Sequence, residues 1–141
     1  MLINEWSDAT AMAEAVRNKT VSPRELVEAT IREAERTNPK INAIVSQRYE
    51  KALIEADTKS FSDKPFAGVP IFLKDLGQDQ AGEPSTAGSR LFTDFRPKET
   101  DNYVKKLEDL GFLILGRTNT PEFGFKNISD AKIHGSVNLP D

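Results

Sequence analysis

The pairing in this sequence that most suggests chemistry is a lysine followed by an aspartate, directly after an apolar run. Val69-Pro70-Ile71-Phe72-Leu73 reads as a short strand, and Lys74-Asp75 closes it. In open α/β sheets ligands bind beyond the carboxyl ends of the strands. A lysine partly withdrawn from water there has its charged form disfavoured, which is the usual route to a lysine general base near neutrality. The same spacing equally fits a lysine that marks the strand end with its ammonium in water.

The other candidates are weaker. His134 is the single histidine, so it cannot build a multi-histidine metal site, and a lone loop histidine reads as structural or solvated. The absence of cysteine excludes disulfides, thiolate metal sites and a cysteine nucleophile, and fits a reducing compartment. Gly82-Glu83-Pro84-Ser85-Thr86-Ala87-Gly88-Ser89 has neither the lysine nor the preceding strand of a phosphate-binding P-loop. Gly111 and Gly116 flank an apolar run instead of opening a helix, so they are no dinucleotide fingerprint.

The elements that must position Lys74 divide in two. All eight glycines lie at or after Gly68 and six of eight prolines at or after Pro65, so a helix-friendly half precedes a turn-rich one. Ser7 or Asp8 can cap a first helix through Ala9, Met12, Ala13 and Val16, ending near Asn18. Ser22-Pro23-Arg24-Glu25 is a capping box with proline at the first helical position. Val27, Ile31 and Ala34 continue that helix until Asn38-Pro39, which is expected to stop it. Ile41-Asn42-Ala43-Ile44-Val45 reads as a strand or buried connection, and Tyr49, Ala52, Leu53 and Ala56 keep the spacing of a third helix.

In the second half, residues 69–73 and 112–115 are continuous apolar runs suited to strands buried on both faces. Between them, residues 77–96 lack periodicity, and Thr100-Asp101 can cap a helix through Tyr103, Val104, Leu107 and Leu110 that Gly111 ends. Strand, crossover helix, strand is the grammar of a parallel sheet. The expected architecture is α/β: an N-terminal helical layer, residues 1–64, packed on part of a mixed or parallel sheet, residues 65–141. At 141 residues, net charge −3 and 38% hydrophobic content, one domain is expected and nothing electrostatic points to nucleic acid or an anionic membrane. No run spans a bilayer, and Met1 to Trp6 lacks the features of a secretory signal. A cytoplasmic protein is therefore expected.

Three blocks arrive in one order: Gly68 to Asp75, Pro84 to Ser89, and Gly111 through Gly116-Arg117-Thr118-Asn119-Thr120-Pro121-Glu122-Phe123-Gly124. Together they resemble the amidase signature family, closely from Pro65 to Asp141 and more weakly over the N-terminal helices. The resemblance implies an α/β/α sandwich, of which these residues form an incomplete part. It also implies hydrolysis of carboxylic amides by a Ser–cis-Ser–Lys triad without a cofactor, acting on a small-molecule amide. Lys74 takes the lysine position, the base that works through the middle serine, and Thr118 and Asn119 fall near the substrate as loop residues after a strand, with a strand-end turn an equally good account of them. The family's two serines and oxyanion hole lie in a Gly-Gly-Ser-Ser-Gly-Gly type stretch, and neither a Gly-Gly nor a Ser-Ser pair occurs here. Ser85, Ser89, Ser129 and Ser136 belong to other blocks and inherit none of those roles.

The expectation is thus the N-terminal portion of an amidase that carries the base, lacks the nucleophile and is inactive alone. A second reading is the amidase subunit of a tRNA-dependent amidotransferase, ranked lower because Pro121 stands where that subunit generally has an acidic residue. A third is a non-catalytic binding or assembly module on the same fold. An unpaired sheet edge would also invite self-association.

Overall fold

Asp8 opens helix α1 (Ala9–Arg17) by accepting the Ala11 N–H at 2.8 Å, and Asn18 closes it. The structure, a computed structural model, describes residues 7–140; the expectation drawn from Met1 to Trp6 lies outside them. Helix α2 (Pro23–Ile41) starts with the expected capping box: Ser22 Oγ accepts from Glu25 N, and the Glu25 carboxylate accepts from Ser22 N at 2.7 Å. Asn38-Pro39 does not stop this helix. Proline there removes one hydrogen bond in the last turn, and the turn is held by Asn42, whose N–H donates to Asn38 O at 2.8 Å from a left-handed conformation. The Asn38 amide meanwhile bonds both the N–H and the carbonyl of Ile44, at 2.7 and 2.9 Å, and so ties the helix end to the strand after it.

That strand, β1 (Ile44–Gln47), leads into helix α3 (Tyr49–Thr58). The chain then forms β2 (Pro70–Lys74), a long loop, helix α4 (Asn102–Leu110) and β3 (Leu113–Thr118). The three strands make one mixed sheet in the order β1-β3-β2, with β2 parallel and β1 antiparallel to the central β3. The α4 crossover thus joins adjacent parallel strands, as the sequence grammar requires, while the helix-friendly half contributes a strand of its own.

Every residue of β3 from Leu113 to Arg117 is buried, and its side chains alternate between two apolar clusters. Leu113 and Leu115 pack with Val27 of α2 and Ala52 and Ala56 of α3; Ile114 packs on the other side with Leu73 of β2 and Val104 of α4. Helices therefore cover both faces, and the expected α/β/α layering holds for the part of the sheet present. Arg48, at the start of α3, adds a polar clamp: its guanidinium donates to Ile114 O at 2.5 Å and to Glu55 at 2.6 Å, and pairs with Glu83 at 3.4 Å. Burial pulls the Arg48 pKa down, but these two carboxylates outweigh it and the net shift is upward.

β3 is longer than the apolar run 112–115. Gly116, Arg117 and Thr118 stay in the ladder because they pair with β1 on one side, and Arg117 and Thr118 with β2 on the other. Thr118 is accordingly the last strand residue, not a loop residue. Where β1 and β3 cross at a register shift, Gly116 has φ +150, and a Cβ there would lie 2.0 Å from the Ser46 carbonyl oxygen. A backbone atom in a ladder cannot give way to a side chain. Gly116→Ala is expected to destabilise the chain by at least about 1–3 kcal/mol, read as a drop in thermal unfolding midpoint; an unchanged midpoint would remove this contact from the account.

Candidate active site at the carboxyl edge of the sheet

The parallel pair β2 and β3 ends level, Lys74 opposite Thr118, and both chains leave the sheet at the same edge. Lys74 is fixed there through three groups. Its N–H donates to Gln78 Oε1 at 2.6 Å, its carbonyl accepts from Arg117 Nη1 at 3.0 Å, and its Nζ donates to the main-chain oxygen of Asn119 at 2.7 Å. Of the two readings that its spacing allowed, the structure shows the lysine that marks a strand end. Lys74 is an exposed residue among the described ones, because it ends the strand at the open edge while its neighbour Asp75 turns inward.

Asp75 is 1% exposed. Its Oδ1 accepts the Thr86 N–H at 2.9 Å, its Oδ2 accepts the Thr86 hydroxyl, and His134 Nε2 lies 3.3 Å from the same oxygen and 3.0 Å from Thr86 Oγ1. A carboxylate only accepts and the Thr86 proton is already committed to it, so the network assigns the imidazole proton to Nε2. Burial pushes the Asp75 carboxyl up, but hydrogen bonds from His134 and Thr86 and the charge of Arg117 outweigh it and hold the group below the ordinary carboxylate value. Arg117 is itself buried and is held below its ordinary value by that burial, against the pull of Asp75, Asp79, Glu83 and Asp101.

Thr118 donates its hydroxyl to Leu73 O at 3.3 Å. Asn119, 3% exposed, spends its side-chain amide on two main-chain carbonyls, Asn42 at 3.2 Å and Gly135 at 3.1 Å. The structure thus brings Lys74, Thr118 and Asn119 together at one edge, with the hydroxyl and the amide turned to the protein and the Asn119 carbonyl turned to Lys74.

The irregular loop 77–96 is anchored to the same edge. Ser85 Oγ donates to Asp79 at 2.5 Å and Ser89 Oγ to Glu122 at 2.7 Å. Asp101 stands at the N-cap of α4 as expected, while its side chain and that of Thr100 accept the Asp79 and Ala81 N–H groups at 2.8 and 3.0 Å and not a helix N–H. Gly88 has φ +66 and passes so close to the 120–122 segment that a Cβ would lie 2.8 Å from Thr120 O. The three blocks that the sequence presents in order are therefore packed together in space.

Asp75, Thr86, His134 and Arg117 carry this edge, and residue types alone did not mark them. The signal available was the Lys-Asp dipeptide itself, since an acid at the end of a buried strand needs donors. Among the described residues no cluster of histidine, cysteine, aspartate and glutamate could hold a metal ion, and no helix is long and apolar enough to cross a membrane.

The carboxylate makes the stability of this edge depend on acidity. A folded pKa held below the ordinary value contributes stability that is complete above that value and is lost as pH falls through the folded one. The midpoint difference between the wild-type chain and Asp75→Asn is expected to be full at about pH 5 and to shrink toward about pH 2. A difference that grows with acid would contradict the assignment.

Comparison with known proteins follows this geometry. The family model described as Amidase matches residues 25–140. A lipoamidase of Enterococcus faecalis is 44% identical over 137 residues, 95% of this chain and 19% of that protein. The 6-aminohexanoate-cyclic-dimer hydrolase of Paenarthrobacter ureafaciens is 37% identical over 140 residues, 98% of this chain and 28% of its own. A solved structure of 6-aminohexanoate cyclic dimer hydrolase with substrate superposes with a TM-score of 0.89 at 37% identity, over 96% of this chain and 28% of that one. A bacterial aryl acylamidase belonging to the amidase signature enzymes gives 0.84 at 34% identity, over 94% of this chain and 29% of that one. The chain thus spans 19–29% of the length of these relatives.

Proposed function

Since the chain belongs to the amidase family, we propose that it supplies the general base of an amide hydrolase, with Lys74 as that base and a small-molecule carboxylic amide as substrate. The observation that carries the reading is the seating of Lys74. It stands at the carboxyl end of a parallel strand, exposed to the edge where ligands bind, with Nζ 2.7 Å from the Asn119 carbonyl oxygen. Asn119 and Thr118 serve the site by holding that seat, Asn119 through its main-chain oxygen and Thr118 through the ladder with Lys74.

The chemistry needs two further groups with no counterpart in these 141 residues: a nucleophilic serine and a serine relaying its proton. In a polypeptide that also carries the Gly-Gly-Ser-Ser-Gly-Gly type stretch, the nucleophile's Oγ bonds to the amide carbon. Its proton passes to the middle serine, whose own proton passes to Lys74 Nζ. The C–N bond then breaks as the proton returns by the same relay to the leaving nitrogen. A water molecule, deprotonated through the relay, attacks the acyl-serine and releases the acid. By themselves these residues present a base without a nucleophile or oxyanion donors, and no turnover is expected, because such groups act as a unit.

Two assays test this. The 141-residue chain is expected to leave aliphatic and aromatic amides intact. The polypeptide continued through the serine-bearing stretch is expected to hydrolyse them, and Lys74→Ala is expected to lower its kcat by about 10²–10⁴-fold. Turnover by the 141-residue chain that disappears in Lys74→Ala would overturn the first half. Unchanged kcat in the longer Lys74→Ala polypeptide would overturn the second.

A further inference from the structure

Residues 131–138 form a strap that crosses the end of α2 and reaches the sheet edge. Its main chain turns on itself, with Gly135 N donating to Ala131 O at 2.7 Å. Its outer side is sewn to the end of α2: the Asn42 amide donates to His134 O at 2.8 Å and Ser136 O at 3.0 Å, Asn138 N to Ile41 O at 2.9 Å, and the Asn138 amide to Lys40 O at 3.0 Å.

Its inner side reaches Thr86, Asp75 and Asn119, and the last two lead to Lys74 within one residue. His134 Nε2 meets Asp75, the residue after Lys74, at 3.3 Å. Gly135 O takes the side-chain amide of Asn119, whose main-chain oxygen holds Lys74 Nζ. Nothing in simple chain packing requires the chain's single imidazole to stand 84% covered against a buried carboxylate at this place. Asn119 Oδ1, buried without a partner among the described residues, shows that the amide is oriented by its two donor bonds at the expense of its acceptor.

We propose that His134 and Gly135 are the positioning elements of the lysine site. His134 acts through Asp75 on the main chain of Lys74, and Gly135 acts through Asn119 on its Nζ. The strap couples the end of α2 to the base, so the placement of Lys74 depends on residues sixty positions further along the chain. This rests on the reading of Lys74 as the working base, but the coupling itself is a property of the folded chain and is measured without turnover.

The test is the reactivity of the Lys74 amine toward limiting acetic anhydride, read by mass spectrometry as its rate relative to Lys105 and Lys106, which are exposed on α4. In His134→Leu the imidazole donor is lost, the Asp75–Lys74 main chain shifts, and the relative rate at Lys74 is expected to rise about fivefold, the equilibrium weight of the released Nζ–Asn119 O hydrogen bond. His134→Gln, which keeps an amide donor of similar reach, is expected to restore most of the wild-type ratio. Val27→Ala, a cavity in the cluster between α2, α3 and β3, lowers the unfolding midpoint and is expected to leave the ratio unchanged, which separates positioning from general loss of stability. Should His134→Leu fail to fold, His134→Asn, too short to reach Asp75, takes its place with the same expected rise. An unchanged ratio in the folded variant, or an equal rise in Val27→Ala, overturns the proposal. If the ratio responds as expected while Lys74→Ala leaves hydrolysis intact in the longer polypeptide, the positioning stands and the base assignment alone falls.

Discussion

Asp75 puts a carboxylate into the interior one residue beyond an exposed lysine, and the rest of the edge is organised around satisfying it. Leaving a charge of that kind buried and unpaired costs several times what a surface ion pair returns. Four groups from three separate segments therefore converge on it: the Thr86 amide and hydroxyl, the His134 imidazole and the charge of Arg117. The carboxylate is an anchor shared by three segments that are also held elsewhere: the loop through Glu122, the strap through Asn42 and the end of β3 through its two ladders.

The sheet makes that burial affordable. β3 lies between two other strands and between two helical layers, so its apolar residues are covered on both faces and its polar end is carried into the interior with them. Arg117 enters on this strand, with its guanidinium bonded to Lys74 O. The same close packing explains Gly116, where the β1 carbonyl leaves no room for a side chain. Stability and site geometry thus share one strand, and a change in its ladder reaches Lys74 directly.

What could be read in the sequence follows the range of the forces. The Ser22 capping box, the Gly111 helix end and the parallel pairing of two strands around a crossover helix are local or follow from chain grammar, and they stand in the structure as read. Burial on both faces holds for β3 and not for β2, an edge strand whose Pro70, Ile71 and Phe72 are half-buried. The carry-through of α2 past Pro39 was missed because it depends on Asn38 and Asn42 bonding to the following strand. The extension of β3 to Thr118 was missed because polar residues stay in a strand only when partners on both sides hold them. The place of Lys74 at the end of a strand was legible from the apolar run before it. The Asp75–His134 contact was not, since it joins residues 59 apart that share no local pattern, and a lone histidine carries no sign of what it faces. Thr100 and Asp101 show a milder case: their residue types suit a cap, and the loop takes their oxygens instead.

The Asp75 carboxylate, not the loop's own turns, orders the Thr86 stretch of the 77–96 segment against the sheet edge. Amide hydrogen exchange at Thr86, followed by NMR in the full chain near neutral pH, tests it most directly, because that N–H has Asp75 Oδ1 as its acceptor. Protection at Thr86 is expected to be comparable to that of the Leu113 N–H, which bonds to Val69 O in the core of the sheet. Exchange of Thr86 at the rate of an unstructured loop, with Leu113 fully protected, would contradict it.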